Sequence, residues 1–210
     1  MNKKLTARVL TGAAIVSAAG LFLGLAPSEA AVPARAAVVS TQAKPALKAS
    51  SLHFGYKCWG RGRHCGVAVH APKGWKFTQL SLQHAKFTDS SNTWMLRVNG
   101  GLGGKVGTSR GADQRVHALH GVAGFQLVSR TNGSTASKVG WDAPRVAYTE
   151  ITYTYRDGSR GKRLVTTRFV DTFESGRRAY IELTVAGRPQ DKAGLAKVMA
   201  VATERVALVG

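Results

Sequence analysis

The chain has 210 residues, 44% of them hydrophobic, which is enough for one domain with a sizeable core plus appendages. Thirty Lys and Arg against eleven Asp and Glu give a net charge of +19, an excess whose field attracts polyanions. Cys58 and Cys65 are the only cysteines, too widely spaced for a C-x-x-C redox centre; His53 and His64 could complete a four-ligand metal set with them, but six intervening residues is not a recognised ligand spacing, so no metal or other cofactor is expected.

Residues 1–30 read as a secretory signal peptide. Lys3, Lys4 and Arg8 form a positive start, an uncharged stretch from Val9 to Ser28 carries Leu21, Phe22, Leu23 and Leu25, and Ser28-Glu29-Ala30 offers a small-residue cleavage site. Ala34-Arg35-Ala36 is the second choice. No cysteine lies near either site to carry a lipid, and no twin arginine is present, so the expectation is export of an unfolded chain with no transmembrane segment left after cleavage. Without residues 1–30 the remaining 27 basic and 10 acidic residues leave +17. Residues 31–51 hold two prolines, many alanines and no aromatic residue, and read as a flexible linker. A single domain is then expected over 52–210.

In an oxidising compartment Cys58 and Cys65 pair most simply as a disulfide that closes the small loop "CWGRGRHC". From Leu52 onward the apolar residues mostly recur with period two, the mark of half-buried strands. "HFGYKC" and "GVAVHAP" bracket the loop, and "KFTQLSLQ", "AKFTD" and "TWMLRVN" continue the pattern. Residues 112–121, "ADQRVHALHG", read as a short helix with a glycine stop. "GFQLVSR" returns to strand character, and Thr131-Asn132-Gly133-Ser134 reads as a hairpin turn.

The runs "PRVAYTEITYTYR", "KRLVTTRFVDTF" and "RRAYIELTVAG" are joined by Asp-Gly and Glu-Ser-Gly turns, which predicts an antiparallel meander. A final helix begins near Pro189 and presents Leu195, Val198, Met199, Ala202 and Val206 as one apolar stripe. The fold class is therefore α+β, an antiparallel β-sheet covered by a few helices.

The segment Asn99 to Gly111, "NGGLGGKVGTSRG", contains G-x-S-x-G around Ser109, the pattern of a serine hydrolase elbow. The elbow needs a buried strand before it and a histidine later in the chain, yet Asp113, His117 and His120 are the only partners that follow closely and all fall on one short helix. A hydrolase using Ser109, or a histidine such as His70, is the alternative to a non-enzymatic reading. Phosphate-cradle spacing also fails, because Val106 stands where the loop's hydroxyl residue belongs. The loop then reads either as a mobile binding loop offering Lys105 and Arg110 to an anion or as a tolerated insertion.

"GVAVHAPKGW", the short helix before "GVAGFQLV", the long block from Gly140 to Gly187 and the final amphipathic helix together resemble the PsbP-like fold over about residues 52–208, with closest likeness to its actinobacterial exported branch that includes LpqN-type lipoproteins. Val67 to Trp75 matches that family's opening strand and P-x-G-W turn, and Arg163 to Val185 matches its hairpin with a tyrosine in the second strand. The resemblance implies a PsbP-like sandwich with binding or assembly roles and no shared catalytic residues. The chain departs from the family in lacking a lipid-attachment cysteine and in carrying the Cys58/Cys65 loop.

The expected function is that of a secreted binding domain, cell-wall associated, that recognises a protein partner or an acidic cell-surface polymer or lipid. No nucleic-acid module accompanies the charge, so no nucleic-acid partner is expected. The polar side of the meander, with Tyr148, Glu150, Arg168, Arg178, Tyr180 and Glu182, is one candidate binding surface. Arg61, Arg63, Lys105, Arg110, Arg160, Lys162 and Arg163, clustered at loops, form a candidate anion-binding set.

Overall fold

The alternating segments pair into two antiparallel sheets. Their strands are β1 (Phe54–Trp59), β2 (Val67–Pro72), β3 (Lys76–Gln79), β4 (His84–Thr88), β5 (Met95–Asn99), β6 (Gln126–Ala136), β7 (Arg145–Arg156), β8 (Lys162–Asp171), β9 (Ile181–Gly187) and β10 (Ala207–Leu208). The helices are α1 (Thr108–Leu119) and α2 (Lys192–Glu204). The structure, a computed structural model, describes residues 44–62, 64–139, 145–173 and 177–209, all within one compact unit. The expected signal peptide, Arg63 and the Glu174-Ser175-Gly176 turn lie outside the described residues.

The smaller sheet has the order β1-β2-β10 and the larger one the order β3-β4-β5-β9-β8-β7-β6. The fold is α+β, and β7, β8 and β9 form the expected meander through Asp157-Gly158. Cys58 and Cys65 form the disulfide, with Cα atoms 5.5 Å apart at the end of the β1–β2 hairpin.

Period two gives the larger sheet two distinct faces. One carries Phe77, Phe87, Leu96, Val98, Val170, Ile181, Leu183 and Val185 into the main core. Val67, Val69 and Trp59 of the smaller sheet and Leu195, Val198, Met199 and Ala202 of α2 close over it. The apolar stripe expected on the last helix is this contact, and each fully buried aliphatic side chain contributes about 1.5–3 kcal/mol by leaving water. Val206, just past α2, joins the same core.

Packed structure starts before residue 52. Leu47 is only 5% exposed, its N–H donates to Asp191 Oδ1 at 2.9 Å, and Arg188 donates to the carbonyls of Lys44 and Pro45 at 2.6 and 2.8 Å. Gly194 on α2 leaves the space that Leu47 fills, since a β-carbon there would collide with the Leu47 side chain and carbonyl. The segment read as the end of a linker is thus a strap across the start of α2.

Three further expectations are revised. The run "KFTQLSLQ" stops being a strand at Gln79, because Leu80 and Ser81 donate their N–H groups to His84 O and turn the chain into β4. α1 begins at Thr108, four residues earlier than expected. Asn132-Gly133 is not a turn but the middle of β6, where Gly133 pairs with Tyr148. A β-carbon at Gly133 would sit 2.7 Å from the Tyr148 ring, so glycine is needed for close approach there and not for a reversal.

Candidate functional site

The second face of the larger sheet is only partly covered. α1 lies over β7 and β8, with Ala112 packed into a second cluster with Ile151, Tyr153, Val165 and Phe169. Gly111 lets the helix approach, since a β-carbon there would be 2.8 Å from the Phe169 ring. On β3, β4 and β5 the alternation that buries Phe77, Ala85, Phe87, Leu96 and Val98 turns Lys76, Thr78, His84, Lys86, Arg97 and Asn99 to this side. Lys76 and Arg97 are exposed and Lys86 is half-buried.

Register sets these cations side by side. Lys86 lies directly opposite Arg97, and Lys76, opposite Thr88, is its diagonal neighbour on the other side. Arg97 Nε donates to His84 Nε2, which requires that nitrogen to be the unprotonated one. Burial, and then the Arg97 charge, hold the His84 pKa below its ordinary value, while Glu182 opposes them. None of Lys76, Lys86 and Arg97 has a carboxylate partner among the described residues.

The reason is that the described carboxylates are engaged inside the molecule. Asp89 pairs with Lys44, Asp113 with Arg130, Glu150 with Arg168, Asp157 with Arg160, Glu182 with Arg115, Asp191 with Arg188 and Glu204 with Lys138. Asp171 accepts backbone N–H groups from Phe173, Arg177 and Arg178 at 2.8, 3.1 and 3.2 Å. The excess positive charge is therefore presented outward.

The six residues read as one binding surface separate. Tyr148, Glu150 and Arg168 do meet, but on the core side and against α2: Arg168 donates to Glu150 at 2.6 Å and to Thr203 at 3.0 Å, and its guanidinium stands 4.0 Å from the Tyr148 ring centroid. Glu182 faces the opposite way, is 7% exposed and pairs with Arg115 of α1 at 2.5 Å. Tyr180 packs edge-on against Phe173 at 4.7 Å, while Arg178 is exposed.

In the anion-binding set, Arg61, Lys105, Arg110 and Lys162 are exposed, Arg160 is tied to Asp157, and Arg163 is 3% exposed with its guanidinium donating to Thr93 O at 2.7 Å. Arg163 is thus a structural donor and offers nothing to an external anion. Lys76, Lys86 and Arg97 escape a reading that follows charges at turns. Their signal lies in "KFTQ", "HAKFT" and "MLRVN", where the positions between the apolar ones are polar or basic.

The glycine loop is held in place. Gly104 N donates to Ala179 O at 3.1 Å, and Val106 bridges Ala179. Gly104 has φ of 66°, and a β-carbon on it would come within 2.6 Å of Tyr180, so its lack of a side chain serves packing. The loop, α1 and the sheet border a half-open cavity of about 310 Å³ lined by Leu102, Val106, Phe169 and Ala179, with the Arg115–Glu182 pair among its walls. Ser109, on the first turn of α1, accepts a hydrogen bond from Arg130, which also donates to Asp113 at 3.0 Å. The group facing the Ser109 hydroxyl is thus a permanently charged donor. His70 borders a different cavity with Lys138, Lys197 and Arg205, and burial and Arg205 lower its pKa. Among the described residues no cluster of His, Cys, Asp and Glu could hold a metal ion, and no helix is long and apolar enough to cross a membrane.

Fold and face together define an α+β domain with one closed core face and one open, basic face. No family profile matches the chain, and no curated protein does. Among solved structures it is similar to LpqN, involved in cell envelope biogenesis of Mycobacterium tuberculosis, at 12% identity and a TM-score of 0.41, over 77% of this chain and 95% of that one. It is also similar to a Pseudomonas aeruginosa protein of unknown function, PA94, at 14% identity and a TM-score of 0.37, over 75% and 97% of the two chains. At these scores neither likeness says what this chain binds.

Proposed function

We propose that the protein is an exported, non-catalytic binding domain of the cell envelope whose ligand is an acidic polymer. The observation that carries this reading is the full internal use of the described carboxylates, which leaves cations such as Lys76, Lys86 and Arg97 without one. A surface of this kind lowers its own electrostatic energy by gathering polyanions. Export is supported by the signal-peptide pattern and by the disulfide, which persists in oxidising compartments. Kinship with the PsbP-like, LpqN-type proteins rests on the sequence pattern of Val67 to Trp75 and Arg163 to Val185.

Co-sedimentation of residues 31–210 with purified cell wall and with anionic vesicles, across a salt series, tests the reading. Binding that weakens steeply with salt supports it, and absence of binding at low salt overturns it. The hydrolase alternative depends on Ser109, whose neighbour Arg130 has no basic atom to take its proton. An active-site serine probe that labels the wild type but not Ser109→Ala would establish that alternative instead.

A further inference from the structure

We infer that the ligand of the proposed envelope function is a linear, base-free phosphate polymer, and that it docks along Lys76, Lys86 and Arg97 on the open face of β3, β4 and β5. The inference rests on the polyanion reading above and adds to it a place and a chemistry.

The three cations form a line crossing the strands. Opposed residues in an antiparallel pair have β-carbons about 5 Å apart and diagonal ones about 7–8 Å, so the line presents a charge at each step from the β3 edge to β5. Two like charges set directly opposite cost stability, and Lys86 opposite Arg97 is such a pair. An anion lying between them removes that repulsion. The pair is therefore a feature that makes sense with a ligand in place.

The surroundings select the ligand. The free guanidinium edge of Arg97 matches the oxygens of a phosphate, and Thr78 beside Lys86 adds a neutral donor. The residues that β3, β4 and β5 turn to this face are Lys76, Thr78, His84, Lys86, Thr88, Met95, Arg97 and Asn99, with no Phe, Tyr or Trp on which successive bases could stack. A single-stranded nucleic acid would find charge here and no stacking platform. Lys76 and Arg97 are exposed and Lys86 is half-buried, so the line is reached from solvent across three strands, whereas the cavity beside α1 is a local pocket with apolar residues and the Arg115–Glu182 pair in its walls.

The test measures binding of end-labelled linear polyphosphate to residues 31–210 over a salt series, for the wild type, for Lys76→Gln/Lys86→Gln/Arg97→Gln, and for Lys48→Gln/Lys192→Gln/Lys197→Gln. The second variant loses the same charge from sites elsewhere on the surface. The first variant is expected to bind at least about tenfold more weakly at low salt, with the slope of log K against log salt shallower by about 2, near 0.7 for each cation removed from a flexible polyanion. The second is expected to stay within about threefold of the wild type.

Equal losses in both variants would mean a diffuse field and would overturn the site while leaving the envelope reading intact. Wild type that binds cell wall but not polyphosphate overturns the phosphate chemistry, as would tighter binding of polyglutamate. An oligothymidylate of equal charge that binds more tightly than polyphosphate overturns the base-free assignment. Failure of the wild type on wall, vesicles and polyphosphate alike removes the proposed function itself. The substituted side chains are outside the core, so circular dichroism of both variants should match that of the wild type.

Discussion

Replacing Asp191 by asparagine should expose how the first packed residues are held to the last helix. Asp191 is fully buried and accepts from Leu47 N, from Arg188 N and from two guanidinium nitrogens of Arg188 at 2.8–2.9 Å. Those bonds outweigh burial and bring its pKa down from 3.8 to about 2. The folded state therefore binds this proton less readily than the unfolded chain, so stability rises with pH across the window between those values. At about 1.4 kcal/mol per pKa unit, the shift corresponds to about 2.4 kcal/mol at neutral pH, of which about 1 is lost by about pH 3 and about 2 by about pH 2. The substitution would also leave the Arg188 charge without its partner, and breaking a buried pair costs about 3–5 kcal/mol. Urea unfolding followed by tryptophan fluorescence should show the variant about 3 kcal/mol less stable at neutral pH, with the gap narrowing by about 1 kcal/mol at about pH 3. A gap that is small or does not change with pH would refute the clamp.

Leu47→Ala should cost about 2–4 kcal/mol, read as a lower denaturant midpoint, because it empties the site against Gly194 of α2. Opening the disulfide with Cys58→Ala/Cys65→Ala should cost about 2.5 kcal/mol through the entropy of the short loop, read as a lower urea midpoint with an unchanged binding-site salt slope. His84 and His70 both have lowered pKa values, so each contributes stability that is present above about pH 6.5 and declines as pH falls below it. His84→Asn/His70→Asn should flatten that part of the stability profile, and an unaltered profile would show that neither histidine is held neutral.

The meander was legible because β7, β8 and β9 alternate over long spans and Asp157-Gly158 turns the chain where the pattern breaks. Asn132-Gly133 misled for a physical reason: the dipeptide that suits a tight turn also suits a strand position where a tyrosine ring needs room, and only the pairing with Tyr148 distinguishes the two. The early residues misled in the opposite sense. Their composition is that of a linker, and Leu47 is buried only because Asp191 and Gly194, far along the sequence, wait for it. The proposed binding face suffered from the same limit. Which cations escape pairing depends on where Asp113, Glu182 and Glu204 point, and that information is tertiary.

The strap has a consequence in time. Leu47 and Asp191 are 144 residues apart in sequence, and β2 receives its outer neighbour, β10, only from Ala207 and Leu208. A chain that emerges N-terminus first therefore produces β1 and β2 well before α2 and β10, which complete the cover over Val67 and Val69. Completion of this layer waits on Ala207 and Leu208, so a chain cut short of them would leave that edge of β2 unpaired.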